Sequence, residues 1–244
     1  MMYAEIIFIF VVLFIGSFMQ GASGFGFGLF AMSFLPFIFT LKDSALLVIV
    51  LSLITAASIL VKLMKYIEWK GLIYILSAAL TGRVAAFFVL HNFGEMDALK
   101  RMLGFVLLGM VVYIFKKKKP LKSSAIPPVL PLSLGFLGGF IGGVFVVGGP
   151  FFVFYFLLAF QDKYAYTANL QAVFAVTSVL TVIMHWVSGD FSASFPLYFL
   201  IGMISVLIGT RIGMRWMGKI SQDQVRKLAG VIVAASAINI IVFT

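Results

Sequence analysis

The sequence contains no cysteine, only two histidines and only eight acidic residues, and charged residues make up 11% of its 244 positions. Without cysteine there is no disulfide and no thiol chemistry, and redox compartment leaves no trace. The histidines and acids nowhere gather at ligand spacing, so metal binding has no support and no cofactor is expected. A chain this poor in charge is not an ordinary soluble domain, in which about a quarter of residues are charged. What is abundant is apolar: 63% of residues are hydrophobic and the mean hydropathy is +1.16. Apolar runs of nearly twenty residues recur from end to end, as in a polytopic all-α integral membrane protein.

The net charge of +10 does not define a nucleic-acid face. The basic residues fall in short gaps between apolar runs, chiefly Lys62, Lys65 and Lys70, then Lys116 to Lys119 with Lys122, and then Arg215, Lys219, Arg226 and Lys227. Basic loops remain cytoplasmic, and the Lys run also suits anionic lipid headgroups. The opening Met-Met-Tyr-Ala-Glu lacks the basic region of a cleaved signal peptide, so the first apolar segment is expected to be retained.

Ten apolar segments are expected, at 2–20, 24–40, 44–63, 71–91, 98–115, 129–147, 150–160, 164–187, 195–214 and 228–243. The hydrophilic stretch 116–127 divides them into a first transmembrane repeat, 1–115, and a second, 128–244. Each half opens with a glycine-rich element leading to proline: Gly16 to Gly28 before Pro36, and Gly135 to Gly149 before Pro150. Each later carries a small-residue element with arginine, "LTGRVA" at Arg83 and "IGTRIG" at Arg211. Similar features in the same order point to an internal repeat.

Charge tests the topology. If the glycine-rich segments come in pairs, as two crossings or one re-entrant hairpin, one side of the membrane carries 13 Lys and Arg and the other 3. If each pair is one broken helix crossing once, the split is 8 against 8. The positive-inside rule requires asymmetry, so the paired arrangement is expected, with both termini extracytoplasmic. Five segments per half is an odd number, which inverts the second half relative to the first, a common plan of secondary transporters.

Glycine between membrane helices has a plain packing role. Packing alone explains less well why both clusters hold equivalent places beside short segments, the usual pointer to a midplane binding site. A helix restarting inside the membrane presents free N–H groups and its positive dipole end, to which an anion is complementary. The residues expected to surround the anion are Gln20, Gly21, Ser23, Gly24 and Gly26 in the first cluster, and Gly142, Gly143, Gly148 and Gly149 in the second. Arg83 and Arg211 are intramembrane cations, although Arg211, near a basic segment end, can snorkel instead. Asn169, Gln171 and Thr177 are further hydrogen-bond donors or inter-helix ties. His185, in "MHWVSGDF", reads as an interfacial residue beside Trp186, with no acid or second histidine as its partner. Small-residue helix faces also allow a homodimer.

The stretches "GSFMQGASGFGFGLFAMSFLP", "GFLGGFIGGVFVVGGPFFVFYFL", "HWVSGDFS" and "IGTRIGMRWMGKISQDQVRKLAG" together resemble the TauE/SafE sulfite-exporter family, and the likeness spans nearly the whole chain. The resemblance implies a transporter of two repeated halves that exports sulfite or a small organosulfonate such as sulfoacetate. By motif, Gln20, Gly24 and Gly26 match its first element, and Gly142, Gly143, Gly148, Gly149 and Pro150 its second. The chain departs from the pattern at "LTGRVA", where a Pro-Gly pair without arginine is expected, so Arg83 is either a substrate-specific addition or a structural substitution. With an inside-negative potential each exported negative charge gains about 2.3 kcal/mol per 100 mV, and no deep carboxylate marks a proton relay. Export is therefore expected to need no coupling ion. The competing enzyme reading is a rhomboid-like intramembrane protease built on Ser23, in Gly21-Ala-Ser-Gly24, with His185 as base. It requires the two side chains within hydrogen-bond reach. A non-catalytic membrane scaffold accounts for the hydrophobicity but not for the matched glycine clusters.

Overall fold

The structure is a computed structural model and describes residues 2–115, 127, 129–217, 233–234 and 237–242. Among the described residues there are helices and no strands. In order they are α1 (Met2–Ser23), α2 (Phe27–Ala31), α3 (Leu41–Leu63), α4 (Trp69–Phe93), α5 (Asp97–Phe115), α6 (Val129–Val144), α7 (Gly149–Ala159), α8 (Lys163–Val187) and α9 (Phe195–Trp216). Among the described residues five stretches are long and apolar enough to cross a membrane: Glu5–Ser23, Leu41–Tyr66, Trp69–Phe93, Lys163–Val187 and Phe195–Trp216. Large apolar side chains such as Ile7, Val61, Ile73, Phe88, Val187 and Ile204 face outward, while Gln20, Asn169, Gln171 and Thr177 are buried. That inside-out distribution suits lipid as the surrounding solvent.

Local chemistry sets the helix starts. Thr40 caps α3, its hydroxyl oxygen accepting from the Asp43 amide at 3.0 Å. Asp162 caps α8 in the same way, its carboxylate accepting from the Ala165 amide at 2.7 Å. The expected second segment, 24–40, is not one helix. Gly24 and Gly26 have φ of 86° and 110°, which stops α1 and leaves only the five-residue α2. A short 3-10 turn at Leu35–Phe37 follows, with Pro36 in its first turn. The expected segment 129–147 likewise ends at Val144, and the chain re-enters a helix at Gly149. Residues 116–126 of the linker and half of the expected tenth segment lie outside the described residues.

The most extensive helix packing pairs α4 with α6 and α1 with α9; α3 packs on α8, α3 also on α9, and α4 also on α8. Glycine makes the two long pairings close. A Cβ on Gly139 would collide with the Ala79 carbonyl, and one on Gly82 with the Phe136 carbonyl. Across the other pair, a Cβ on Gly21 would meet the Thr210 oxygen and one on Gly213 the Phe18 oxygen. These obstacles are backbone and cannot swing away. Overpacking a well-filled interior costs about 1–3 kcal/mol, and helix-on-helix backbone contact leaves little room to relax. Gly139→Ala is accordingly expected to lower the midpoint of thermal unfolding in detergent by several degrees. Gly109→Ala, where an added Cβ meets nothing, is expected to leave it unchanged or slightly raised. Equal behaviour of the two variants in a melting assay would contradict this packing.

Candidate functional site

Both interruptions of the helices converge on one cavity. It is lined by Gln20 of α1, Phe25 and Gly26, Gly28 and Leu29 of α2, Ser52 of α3, Arg83 of α4, and Gly142 of α6. Val146 to Pro150, Phe152, and Phe174 with Ser178 of α8 complete it. About 30 Å³ is open to the centre of a water-sized sphere, on a scale where about 10–15 Å³ admits one water. Among the described residues no acidic side chain lines it.

The two interrupted segments touch at the cavity. A Cβ on Gly28 would overlap the Val146 carbonyl, and one on Gly148 would overlap the Gly138 carbonyl and meet the Gly142 backbone at 2.9 Å. Val146 has a φ of 59°. A β-branched residue in the left-handed region is strained, and such strain persists where the surroundings over-determine it, typically at functional sites. The first turn of α7 opens beside Gly148 and Gly149 and brings the positive end of an 11-residue helix to the cavity.

Arg83 is the dominant charge. It is only 5% exposed, and its Nη1 donates to Thr181 Oγ1 over a long 3.5 Å. Its Nε has no hydrogen-bond partner among the described residues. Among the described residues no carboxylate pairs with it. Gly142 and Gly143 make its room: a Cβ on Gly142 would lie 3.2 Å from Nη2, and one on Gly143 would lie 3.3 Å from Cδ. A buried cation without an anion is costly and far from satisfied. Dipole end, guanidinium and the absence of acids give the cavity one sign, and a small anion with several acceptor oxygens is its complement.

Of the residues expected from the sequence, Gln20, Gly26, Arg83, Gly142, Gly148 and Gly149 line the cavity, and Gly143 backs Arg83. Others serve elsewhere. Gly21 packs on α9. Gln171 Nε2 donates to the Gly24 carbonyl at 2.6 Å, and Gln20 Nε2 donates to Gln171 Oε1 at 2.9 Å, so this pair ties the first interruption to α8. Asn169 is a strut for the turn before α4: it accepts from the Glu68 amide and donates to the Tyr66 and Ala165 carbonyls. The Thr177 hydroxyl is taken by the Val173 carbonyl at 2.7 Å. Arg211 is exposed on the outer face of α9, because Gly209 and Gly213 turn the opposite face onto α1. The expectation that it joins Arg83 is corrected. Ser52 and Ser178 were missed, since a lone serine in an apolar run carries no signal of where it faces.

The expectation for His185 is corrected too. It is fully buried, and its Nδ1 lies 2.6 Å from Asp190 Oδ2, an acid five residues away in the same quoted motif. Ser23 cannot be its partner. The Ser23 hydroxyl faces the Met19 and Phe25 carbonyls at 2.8 and 2.9 Å. Its neighbour Gly24 lies against Tyr166, Thr167 and Leu170, and His185 is a further fifteen residues along α8, about 22 Å at 1.5 Å per residue. No serine–histidine hydrogen bond spans that distance.

A helical bundle whose spans face lipid with apolar side chains and enclose polar ones is a multi-pass integral membrane protein. Over residues 8–240 the chain matches the family described as "Sulfite exporter TauE/SafE", and it belongs to that family of membrane transporters. It is 27% identical over 228 residues to the probable sulfite/organosulfonate exporter TauE of Cupriavidus necator strain H16, covering 91% of this chain and 88% of that one. No solved structure matches it.

Because the Ser23 hydroxyl serves only its own backbone, Ser23→Ala is expected to keep activity within about twofold, with a stability loss of about 1 kcal/mol. Flux and melting of the purified variant check this; abolition of activity with the fold intact would restore Ser23 to the chemistry.

Proposed function

We propose that the protein exports a small sulfur oxyanion or organosulfonate, sulfite or sulfoacetate, across the cell membrane by alternating access. The anion is held between the two helix interruptions, with Arg83 as its counter-charge. The observation that carries this is Arg83 itself, buried, lacking a carboxylate among the described residues, and facing a cavity without acids. The exporter named in Cupriavidus necator supplies the substrate class.

The architecture proposed is two inverted repeats, 1–115 and 128–244, joined by the basic cytoplasmic linker 116–127, with both termini extracytoplasmic. The packing supports it by exchange: α1 lies on α9 as α6 lies on α4, and α3 meets α9 as α8 meets α4. The α3–α8 contact maps onto itself under the same exchange. Thr40 and Asp162 cap corresponding helices, and Gly21 with Gly213 contact as Gly139 with Gly82 do. By that register Arg83 and Arg211 are not equivalent, which leaves one arginine at the centre. The glycine-rich interruptions expose backbone where it lines a cavity, the circumstance in which irregular backbone is tolerated in a membrane.

Alternating access requires the cavity to open by turns to either face, and its small volume matches a closed arrangement. The test is flux of labelled sulfoacetate and sulfite in proteoliposomes under an imposed potential. Wild type is expected to move at least one of them. Arg83→Gln is expected to lower the rate about 100-fold or more, the scale on which loss of one preorganised donor to an anion operates. Flux in Arg83→Gln equal to that of wild type would remove the arginine from the site, and no flux of either anion would remove the substrate class.

A further inference from the structure

Beyond the cavity, a polar seam runs between α4 and α8 to one end of the bundle. On α4, Arg83, Phe87 and His91 recur every four residues; on α8, Ser178, Thr181 and His185 share one face. The rungs meet in order. Arg83 donates to Thr181. The Phe87 ring packs edge-on against His185 with centroids 4.9 Å apart and stacks on His91 at 5.3 Å. His91 and His185 then share one carboxylate: His91 Nδ1 is 2.9 Å from both Asp190 oxygens and His185 Nδ1 is 2.6 Å from one of them. Lys42, at the start of α3, lies 3.7 Å from Asp190 and 2.9 Å from Glu95, which is 68% exposed and marks the surface. Among the described residues these are the charged and titratable groups facing the pair: Lys42 from α3, Arg83 and His91 from α4, Glu95 from the turn before α5, and Asp190 from the turn after α8. Asp43 at the same end is turned to Thr40.

The chemistry of this arrangement is specific. A carboxylate only accepts, so each histidine donates Nδ1–H to Asp190 and the tautomer is fixed. Burial raises the affinity of Asp190 for a proton, but the hydrogen bonds from His91 and His185 outweigh that and hold it below the ordinary carboxylate range. With the carboxyl depressed, its stabilisation of this end is present above the ordinary aspartate range and is lost as pH falls through the folded value. In neutral His185 the basic atom is therefore Nε2, and that atom is buried with no hydrogen-bond partner among the described residues. The Asp190 carboxylate favours a charged ring, and Nε2 is the atom left to take up a proton: Nε2 gains the N–H bond, the ring becomes imidazolium, and the Nδ1–Asp190 hydrogen bond is kept.

We propose that His185, oriented by Asp190, is the proton site of this transporter, and that a proton on Nε2 and an anion beside Arg83 each strengthen binding of the other. Imidazolium would stand one helical turn, about 6 Å, beyond Thr181, adding positive charge near the cavity. Linkage makes the effect reciprocal. This proposal rests on the cavity being the anion site, and it replaces the expectation that export needs no coupling ion.

With only two histidines in the chain, ring-nitrogen NMR of ¹⁵N-histidine protein in detergent resolves both, and His91→Gln assigns them. At high pH His185 is expected as the Nδ1–H tautomer, with Nε2 taking up a proton as pH falls, and Asp190→Asn is expected to lower the midpoint. Saturating sulfoacetate is expected to raise proton affinity about tenfold in wild type, on a Coulombic estimate across about 10 Å, and to have no effect in Arg83→Gln. In proteoliposomes at zero potential, sulfoacetate flux is expected to rise several-fold between pH 8 and 6, where its carboxylate stays ionised (pKa about 4), and His185→Gln is expected to flatten that profile. A His185 ring that stays neutral down to about pH 5, the lower edge of ordinary histidine switching, overturns the proposal. So does a midpoint indifferent to sulfoacetate in protein that transports it. Absence of sulfoacetate flux at every pH, beside a titrating His185, counts instead against the substrate reading.

Discussion

A guanidinium without a carboxylate, enclosed among apolar helices, is the constraint around which this structure is arranged. Placing an arginine at the centre of a membrane helix costs about 2.5–3.5 kcal/mol on insertion scales. Nothing among the described groups near Arg83 repays that in full: one long contact to Thr181 and an unpartnered Nε are poor compensation. The chain nonetheless shapes its surroundings to fit the group. Gly82 brings α6 against α4 one residue before Arg83, and Gly142 with Gly143 leaves the volume that the guanidinium fills. The neighbouring α7 turns its positive end, not its negative one, toward the same cavity. Each of these choices leaves the guanidinium charge uncompensated by the described protein groups around it.

Glycine plays two separable parts in this economy of space. At Gly21, Gly82, Gly139 and Gly213 it permits long helices to touch backbone to backbone, which makes the α1–α9 and α4–α6 pairs rigid. At Gly24 and Gly26 it supplies backbone angles that a side chain would resist, at Gly28 it lets the two interruptions meet, and at Gly148 it lets the second one fold back onto α6. The rigid pairs each join a helix from one half to a helix from the other. Any rearrangement that opens the cavity must therefore be carried by contacts outside these pairs, such as α3 on α8, and by the α4–α8 seam that ends at Asp190.

Much of this was legible before any coordinates. The apolar segments, the two glycine clusters and the isolated Arg83 are local signals, and six of the expected residues line one cavity. What could not be read depends on register and on partners distant in sequence. Arg83 and Arg211 stand in similar-looking motifs, but Gly82 and Gly213 are the residues that correspond in packing, and that offset turns Arg211 outward. Asn169 and Gln171 have the right chemistry for a ligand, yet their amides are consumed by the Tyr66–Glu68 turn and the Gly24 carbonyl, about a hundred or more residues away. His185 looked interfacial because its position near a helix end suggested it; burial under Phe87 and the shared Asp190 show otherwise.

The central claim is that Arg83 awaits an anion at the expense of stability, and thermal unfolding of purified protein titrated with sulfite or sulfoacetate addresses it most directly. Arg83→Met is predicted to unfold at a higher temperature than wild type without anion, because removing an unpaired buried charge relieves its desolvation cost. Wild type alone is predicted to gain stability with added anion, by about 2.7 kcal/mol at a hundred times the dissociation constant. An Arg83→Met protein that is less stable than wild type in the absence of anion, or that responds to the anion equally, would contradict the account.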